Sequence, residues 1–184
     1  MTFTDTHCHL ADPKLADMLP AVLADAQAVG VARFVVPATS PKDWHSVAQL
    51  EMPSENIHIA LGIHPWFSDG IDETAFQQLE KKLIRHPQAW VGEIGLDFYG
   101  KEQTQAQRDT QTDVFIRQLI LAQNLNRHVI IHNLKATAAI AAAVKTAGFT
   151  RGGIFHAFSG SVEEARILVK LGFKIGIGSL LLNP

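Results

Sequence analysis

Short apolar runs alternate with longer amphipathic stretches along the whole chain. The apolar runs have the length of buried strands, and several are rich in β-branched residues. They predict seven strands, at residues 3–6, 33–38, 57–63, 90–97, 128–131, 153–155 and 173–177. The stretches between them repeat apolar residues with helical spacing. They predict six helices, at residues 15–29, from Pro41 onward, and at residues 73–86, 104–124, 136–147 and 161–171.

This alternation predicts an α/β fold with right-handed crossovers and a parallel sheet. No linker, low-complexity segment or change of composition interrupts it, so residues 1–184 are expected to form one domain. A doubly wound sheet and a TIM-type (β/α)8 barrel both fit the pattern. With about seven strands and six helices, a barrel would be incomplete.

The distribution of polar residues favours the barrel. Histidine or glutamate stands at the carboxyl end of several separate predicted strands, which is the face where barrel enzymes gather their functional groups. A doubly wound sheet would more often concentrate its site at one switch point. The residues at these ends are His7, His9, Glu93, His132 and His156, with His64 just beyond another strand.

Glu93 is the most unusual of these residues, because it interrupts an apolar strand, W-V-G-E-I-G-L-D, at residues 90–97. A carboxylate in a buried strand must be paired, hydrogen-bonded or bound to a metal. Gly92 and Gly95 flank it and allow other groups to approach the backbone closely. A salt-bridged glutamate is the simpler interpretation, but the strand-end histidines favour a carboxylate shared among them.

His7 and His9 are two residues apart on a strand, so their side chains leave the same face and can hold one ion together. Four imidazoles and one carboxylate give mixed nitrogen and oxygen ligation suited to zinc, manganese or another divalent ion. We expect two ions bridged by Glu93, with His7 and His9 on one and His132 and His156 on the other. Such a pair activates water and steadies both oxygens of an in-line displacement at phosphorus.

The remaining candidates have structural alternatives. His64, in G-I-H-P, points toward the same mouth and is assigned a catalytic contact to phosphate, with Glu93 as the other catalytic residue; a loop histidine packed by Pro65 is the alternative. Asp97 is expected to orient a ligand, to touch substrate or to cap a turn, and Cys8 to be a small buried hydrophobe. Structural roles are assigned to the other histidines, His45, His58, His86 and His128.

Composition narrows the function classes only modestly. The net charge of -2 gives no basic field for a large nucleic-acid footprint, although an enzyme could hold a strand end by local contacts. The single cysteine excludes an internal disulfide and indicates a reducing compartment. No signal peptide and no apolar run of membrane-spanning length is present, so a cytoplasmic protein without membrane contact is expected.

Six motifs, in this order along nearly the whole chain, resemble the TatD family of metal-dependent hydrolases. They are D-T-H-C-H-L (5–10), G-I-H-P (62–65), V-G-E-I-G-L-D (91–97), V-I-I-H (129–132), F-H-A-F-S-G-S (155–161) and K-I-G-I-G (174–178). The resemblance implies a TIM-type barrel with two divalent ions, zinc, magnesium or manganese. It places His7, His9, Glu93, His132 and His156 on ligand positions, with Glu93 bridging.

The resemblance also implies the reaction, a 3′-to-5′ exonuclease action on single-stranded DNA or RNA ends. Some family members resemble deacylases of D-aminoacyl-tRNA, so an amidohydrolase-type enzyme acting on amide or ester bonds remains an alternative. A catalytically impaired, metal-binding remnant is the alternative from another class.

Two departures from the family pattern qualify this reading. Asn133-Leu134 stands where the family commonly has Ser-Arg or Thr-Arg, which leaves Lys135 as the nearby cation. The sequence stops at Pro184, whereas family members continue to an E-T-D motif that supplies an aspartate to the metals. We therefore expect an open edge between the first and last strands, self-association through it, and weak or absent turnover.

Overall fold

The computed structural model describes residues 1–51, 56–100 and 102–182. Within them, seven parallel strands form one sheet whose spatial order, β1 to β7, equals the chain order. The strands are β1 (Phe3–Asp5), β2 (Val31–Pro37), β3 (Ile57–Leu61), β4 (Trp90–Asp97), β5 (Val129–Leu134), β6 (Gly153–Phe155) and β7 (Phe173–Ile175).

Six α-helices connect the strands in the described residues. They are α1 (Leu19–Ala28), α2 (Trp44–Gln49), α3 (Glu73–Arg85), α4 (Gln105–Asn124), α5 (Thr137–Thr146) and α6 (Val162–Lys170). Short 3₁₀ helices lie at Pro13–Leu15, Pro65–Phe67 and Ser179–Leu182. No helix in this part of the chain combines the length and the apolar character needed to cross a bilayer.

The strand order decides between the two predicted architectures. A doubly wound sheet reverses its strand order at a switch point, whereas this sheet adds each new strand at the same edge and curls into a half-barrel. The predicted incomplete TIM-type barrel is therefore confirmed. Most buried apolar residues lie between the sheet and the helices, and a smaller cluster of Val35, Ala60 and Ile130 fills the opposite face.

The first helix was predicted too long. The apolar spacing placed its start at residue 15, but α1 begins at Leu19, after the 3₁₀ turn Pro13–Leu15. Pro20 explains the difference, because it lacks an N–H group and its ring would clash with a carbonyl one turn earlier in a continuous helix. It is tolerated in the first turn of α1, where that N–H has no partner.

Several strand ends also differ from the prediction. Strand β5 was expected to end at residue 131, before His132, but it continues through His132 and Asn133 to Leu134, paired with β4 up to Asp97. The strands β1, β3 and β7 are shorter than predicted. His132 is thus held by a hydrogen-bonded ladder on the β4 side, which restricts its backbone more than a loop would.

A buried amide from α4 fixes the chain just beyond β3. The side chain of Gln118 is fully buried, accepts the Ile63 N–H at 2.7 Å and donates to the Ile63 carbonyl at 3.0 Å. Both backbone groups would otherwise be buried without a partner. Gln118 therefore positions the residue directly before His64.

We expect Gln118→Leu to destabilise the protein by about 2–5 kcal/mol, because two buried backbone groups lose their only side-chain partner. Urea unfolding measures the change. The matched control is Gln105→Leu on the exposed start of the same helix, which should stay within about 0.5 kcal/mol of the unmodified chain. Equal stability of the two variants would contradict the role given to Gln118.

Candidate metal centre

The predicted strand-end residues meet in one pocket at the carboxyl ends of the strands. His7 and His9 follow β1, His64 follows β3, Glu93 lies in β4, and His156 follows β6. Together with His132 of β5 they line a cavity of about 340 Å³, whose other walls are Thr39, Trp66 and Phe67. All six residues singled out from the sequence are therefore neighbours.

Glu93 is the centre of this group and is only 3% exposed. His7 Nε2 lies 2.8 Å from its Oε2 atom. On the other oxygen, Oε1, His156 Nε2 lies at 2.6 Å, His132 Nδ1 at 3.1 Å and His64 Nε2 at 3.5 Å. The carboxylate thus presents one oxygen to the β1 histidine and the other to histidines of three further strand ends.

Glycines make this crowded arrangement possible. A Cβ atom on Gly92 would lie 2.9 Å from Ile130 Cβ, and one on Gly62 would lie 2.8 Å from Ile94 Cγ2. Side chains at either position would push neighbouring strands apart. The backbone N–H of Glu93 reaches the Ala38 carbonyl at 2.7 Å, which ties the centre of β4 to the end of β2.

The possible ligand atoms fall into two overlapping sets. One is His7, His9 and Glu93, and the other is His64, Glu93 and His132; within each set they lie no more than 4.8 Å apart. His156 joins both sides, because its ring stacks on His7 at 3.9 Å while its Nε2 lies 3.3 Å from His132 Nδ1. Imidazole nitrogens and a carboxylate are donors suited to a divalent ion, so the residues fit a metal centre.

The electrostatics of the cluster are dominated by Glu93. Burial alone would raise the pKa of Glu93, but hydrogen bonds from His132, His156, His64 and His7 lower that pKa to well below its usual range. Burial lowers the pKa of His132, yet its hydrogen bond to Glu93 and the charges of Glu93 and Asp97 outweigh this and raise that pKa. Burial lowers the pKa of His156, which favours the neutral imidazole that metals require.

Asp97 contacts several residues that surround the histidine cluster. Its Oδ2 atom accepts the Trp66 indole N–H at 2.7 Å and lies 3.2 Å from His132 Nε2, while Oδ1 accepts the Tyr99 N–H at 3.0 Å. The Asp97 N–H donates to Gln111 Oε1 at 3.0 Å. Asp97 therefore contacts His132 and also caps a turn, and the role of His132 as a metal ligand stays a prediction.

Sequence reasoning missed Trp66 and Gln111. The dipeptide Trp66-Phe67 directly after G-I-H-P was a usable signal, because two large aromatic residues in a polar connection are unusual. Gln111 carried no such signal, since glutamine in a helix is usually exposed and only the packing of α4 reveals that Gln111 is buried against Asp97.

Outside the cavity around Glu93 lie Cys8, Lys135, His86 and His128. Cys8 packs as a partly buried hydrophobe, and burial with the charge of Asp5 raises the pKa of its thiol to about 12. Lys135 is exposed at the end of β5 with a left-handed φ of 57°. His86 pairs with Glu51, and His128 contacts the Arg151 carbonyl. None of the four histidines assigned structural roles lines the cavity around Glu93.

A curled parallel sheet whose strand ends bring histidines around one carboxylate defines the class of barrel hydrolases that use metal ions. Comparison with known families agrees, because residues 4–183 match the family described as TatD related DNase. The chain belongs to this TatD family of metal-dependent hydrolases.

Individual relatives support the assignment. The chain is 34% identical over 184 residues to the uncharacterized metal-dependent hydrolase YjjV of Escherichia coli K12, covering 99% of this chain and 70% of the relative. It is 34% identical over 178 residues to the corresponding YabD protein of Bacillus subtilis, covering 95% and 68%. The crystal structure of the Escherichia coli YjjV protein superposes with a TM-score of 0.90 over 97% of this chain and 69% of that one.

In metal-free protein, we expect Glu93→Gln to lower the pKa of His132, because the variant loses the negative charge that raises it. NMR titration of the imidazole signals measures the change. Glu51→Gln is the matched control, since Glu51 pairs with His86 and lies outside the cavity, and it should leave the His132 titration where it was. An unchanged pKa in Glu93→Gln would show that Glu93 does not determine the charge of His132.

Proposed function

We propose that this chain binds two divalent ions and hydrolyses phosphodiester bonds at single-stranded ends of DNA or RNA, in the 3′-to-5′ direction. The observation that supports it most strongly is the shared carboxylate, because Glu93 offers one oxygen to each side of the histidine cluster. The family description, TatD related DNase, agrees with this substrate class.

The contacts favour His132 and His156 as the ligands of one ion. Their facing nitrogens are 3.3 Å apart, and both lie within 3.1 Å of Glu93 Oε1. Two nitrogens bound to one tetrahedral ion at about 2.0–2.1 Å stand roughly 3.3–3.4 Å apart. Asp97 Oδ2 contacts the second ring nitrogen of His132, Nε2. A carboxylate at this position usually orients a histidine that binds a metal through its other nitrogen.

His7 and His9 are proposed for the other ion, beside Glu93 Oε2. His7 Nε2 already contacts this oxygen, and the two rings meet edge to face at 4.8 Å. Both residues lie beyond the end of β1, and their possible ligand atoms lie within 4.8 Å of one another and of a Glu93 oxygen. Zinc, magnesium and manganese all remain candidates for both positions.

His64 is better suited to donate a hydrogen bond than to bind metal. Its Nδ1 atom accepts the Trp66 backbone N–H at 3.1 Å, so the proton of the neutral ring sits on Nε2. That N–H points at the centre of the cluster, 3.5 Å from Glu93 Oε1. We propose that it donates to a phosphate oxygen and steadies the negative charge that grows during hydrolysis.

The bound ions would supply an activated water and Lewis-acid stabilisation of the attacked phosphate. The residues of the chain itself set the charge and shape of the pocket in which this chemistry would occur. Glu93 and Asp97 carry fixed negative charges among the histidines, and their burial strengthens every interaction in the pocket. Thr39, Trp66 and Phe67 form the remaining walls of the pocket.

We expect Glu93→Ala to lose both metal ions and more than about 100-fold of any hydrolysis of a single-stranded oligonucleotide, because the shared ligand is gone. Metal analysis of purified protein and an oligonucleotide assay with manganese measure the two effects. The matched control is Glu51→Ala, which removes a glutamate that pairs with a histidine outside the cavity.

Two results would contradict this proposal. If Glu93→Ala keeps two ions per chain, the bridging role is wrong. If the unmodified chain binds two ions but cleaves a cyclic amide or a D-aminoacyl ester in place of oligonucleotides, the amidohydrolase alternative replaces the nuclease. Tight metal binding without turnover on any of these substrates would favour the metal-binding remnant.

We also propose that copies of this 184-residue chain associate through the sheet edges at β1 and β7. In the described residues β1 pairs only with β2, and β7 only with β6. Apolar side chains are exposed beside both edges, including Phe3, Ile177 and Leu181. Unpaired strand edges with apolar side chains are a common route to self-association.

Sedimentation at a series of concentrations tests this association. We expect Ile177→Lys to shift the chain toward the monomer, because a charge beside β7 opposes edge pairing. Ile84→Lys places the same charge on the exposed surface of α3 and should leave the sedimentation unchanged. A monomeric unmodified chain at all concentrations would contradict the proposal.

A further inference from the structure

Trp66 is the least expected side chain at the pocket. It is 70% exposed, although tryptophan is usually largely buried, and it lies directly against the histidine cluster. Its ring centroid is 5.0 Å from that of His64 and 6.4 Å from that of His132. An exposed aromatic ring at this position invites a ligand to cover it.

Two hydrogen bonds hold the Trp66 ring in place before any ligand arrives. Its backbone N–H donates to His64 Nδ1 at 3.1 Å, and its indole N–H donates to Asp97 Oδ2 at 2.7 Å. Because the indole has only this one donor, the ring has nothing left to offer except its faces and edges. A ring fixed in this way loses little conformational entropy when it stacks.

Trp66 also forms the wall between two cavities. On one side is the pocket around Glu93, and on the other is a cleft of about 410 Å³ between the 3₁₀ helix Pro65–Phe67 and the start of α4. The cleft is lined by uncharged polar groups such as Ser68, Gln107 and Thr110, and its charged lining residue is Asp69. An acidic, otherwise neutral cleft repels phosphate but suits a neutral, flat, polar group.

We propose that Trp66 stacks on a nucleobase of the substrate, and that the adjoining cleft receives this base while its phosphodiester lies at Glu93. This inference rests on the proposed function and adds the group that selects a nucleotide over a simple phosphate diester. Stacking tolerates any base, because every base has a π face. Local stacking also suits a protein with a net charge of -2, which has no basic surface to track a long strand.

Two substrates and two variants test the inference. The substrates are single-stranded oligonucleotides that are identical except that the two 3′-terminal nucleotides carry either bases or abasic tetrahydrofuran residues. The variants are Trp66→Leu, which removes the ring, and Trp66→Phe, which keeps a ring. Both variants lose the indole N–H to Asp97, so their difference isolates the ring itself.

We expect Trp66→Leu to lower kcat/KM on the base-bearing oligonucleotide by about 5- to 100-fold, mostly through a higher KM, as for other base–aromatic contacts. Trp66→Phe should retain more activity than Trp66→Leu on this substrate, whereas on the abasic oligonucleotide the two variants should differ by less than about 2-fold, because both lose the same bond to Asp97. Equal activity of Trp66→Leu and Trp66→Phe on the base-bearing oligonucleotide, or the same difference between them on both substrates, would overturn the inference.

A binding measurement separates failure of this inference from failure of the nuclease proposal. Trp44 is buried and Trp90 is partly buried, so Trp66 is the tryptophan best placed for quenching by an external base. Titration with the base-bearing oligonucleotide should quench the fluorescence of Trp66 in both the metal-free and the metal-loaded protein. The quenching should be absent when the abasic oligonucleotide is used, and absent in Trp66→Phe. Quenching without hydrolysis would support the stacking site and contradict the nuclease proposal. Hydrolysis without base-dependent quenching would support the nuclease proposal and contradict the stacking site.

Discussion

The buried carboxylate of Glu93 is the constraint on which the rest of the structure depends. A charge that is only 3% exposed is tolerated because four imidazole nitrogens surround it. Those nitrogens come from histidines that follow or lie in β1, β3, β5 and β6, so they meet only if the sheet is parallel and in register. Sequential strand order and curvature of the sheet bring these ends to one place, and the small residues Gly62 and Gly92 let them come close enough.

Helix α4 is the second support of the site. Gln111 and Gln118 lie seven residues apart, which is about two turns, so they face the sheet on the same side. Gln118 holds Ile63 just before His64, and Gln111 holds the N–H of Asp97, whose carboxylate orients His132 and Trp66. Two buried amides on one rigid helix therefore fix the ends of β3 and β4 relative to each other, and this precision is what a metal centre needs.

The electrostatic design of the pocket is local. The chain carries a net charge of -2, so it cannot attract a polyanion through its overall field. Cations bound among the histidines would provide positive charge at the position that we propose for the phosphate. The rim offers Trp66 and polar uncharged groups, which we propose recognise a nucleotide by stacking and polar contact. In this proposal, the metal ions attract the phosphate and the neighbouring cleft recognises the base.

The sequence by itself determined the sheet class and the identity of the clustered residues. Apolar runs alternating with helical periods gave the seven parallel strands, and histidines at separate strand ends with Glu93 in a buried strand indicated one shared centre. These signals are local, because the apolar pattern that predicts a strand or helix involves only residues that are close together in the sequence. Local signals were weaker at the element boundaries. Helix α1 begins later than predicted because of Pro20, and β5 continues past His132 because it pairs with β4.

The arrangement and support of the cluster depend on tertiary contacts that no local pattern predicts. Which oxygen of Glu93 faces which histidine, the tautomer imposed on His64 by the Trp66 N–H, and the role of Asp97 all depend on atoms brought together from distant segments. Gln111 and Gln118 look like ordinary helix residues until their partners on β4 and beyond β3 are known. A hydrogen bond between groups 55 residues apart leaves no periodic trace in the chain, because its geometry is set by packing and not by spacing.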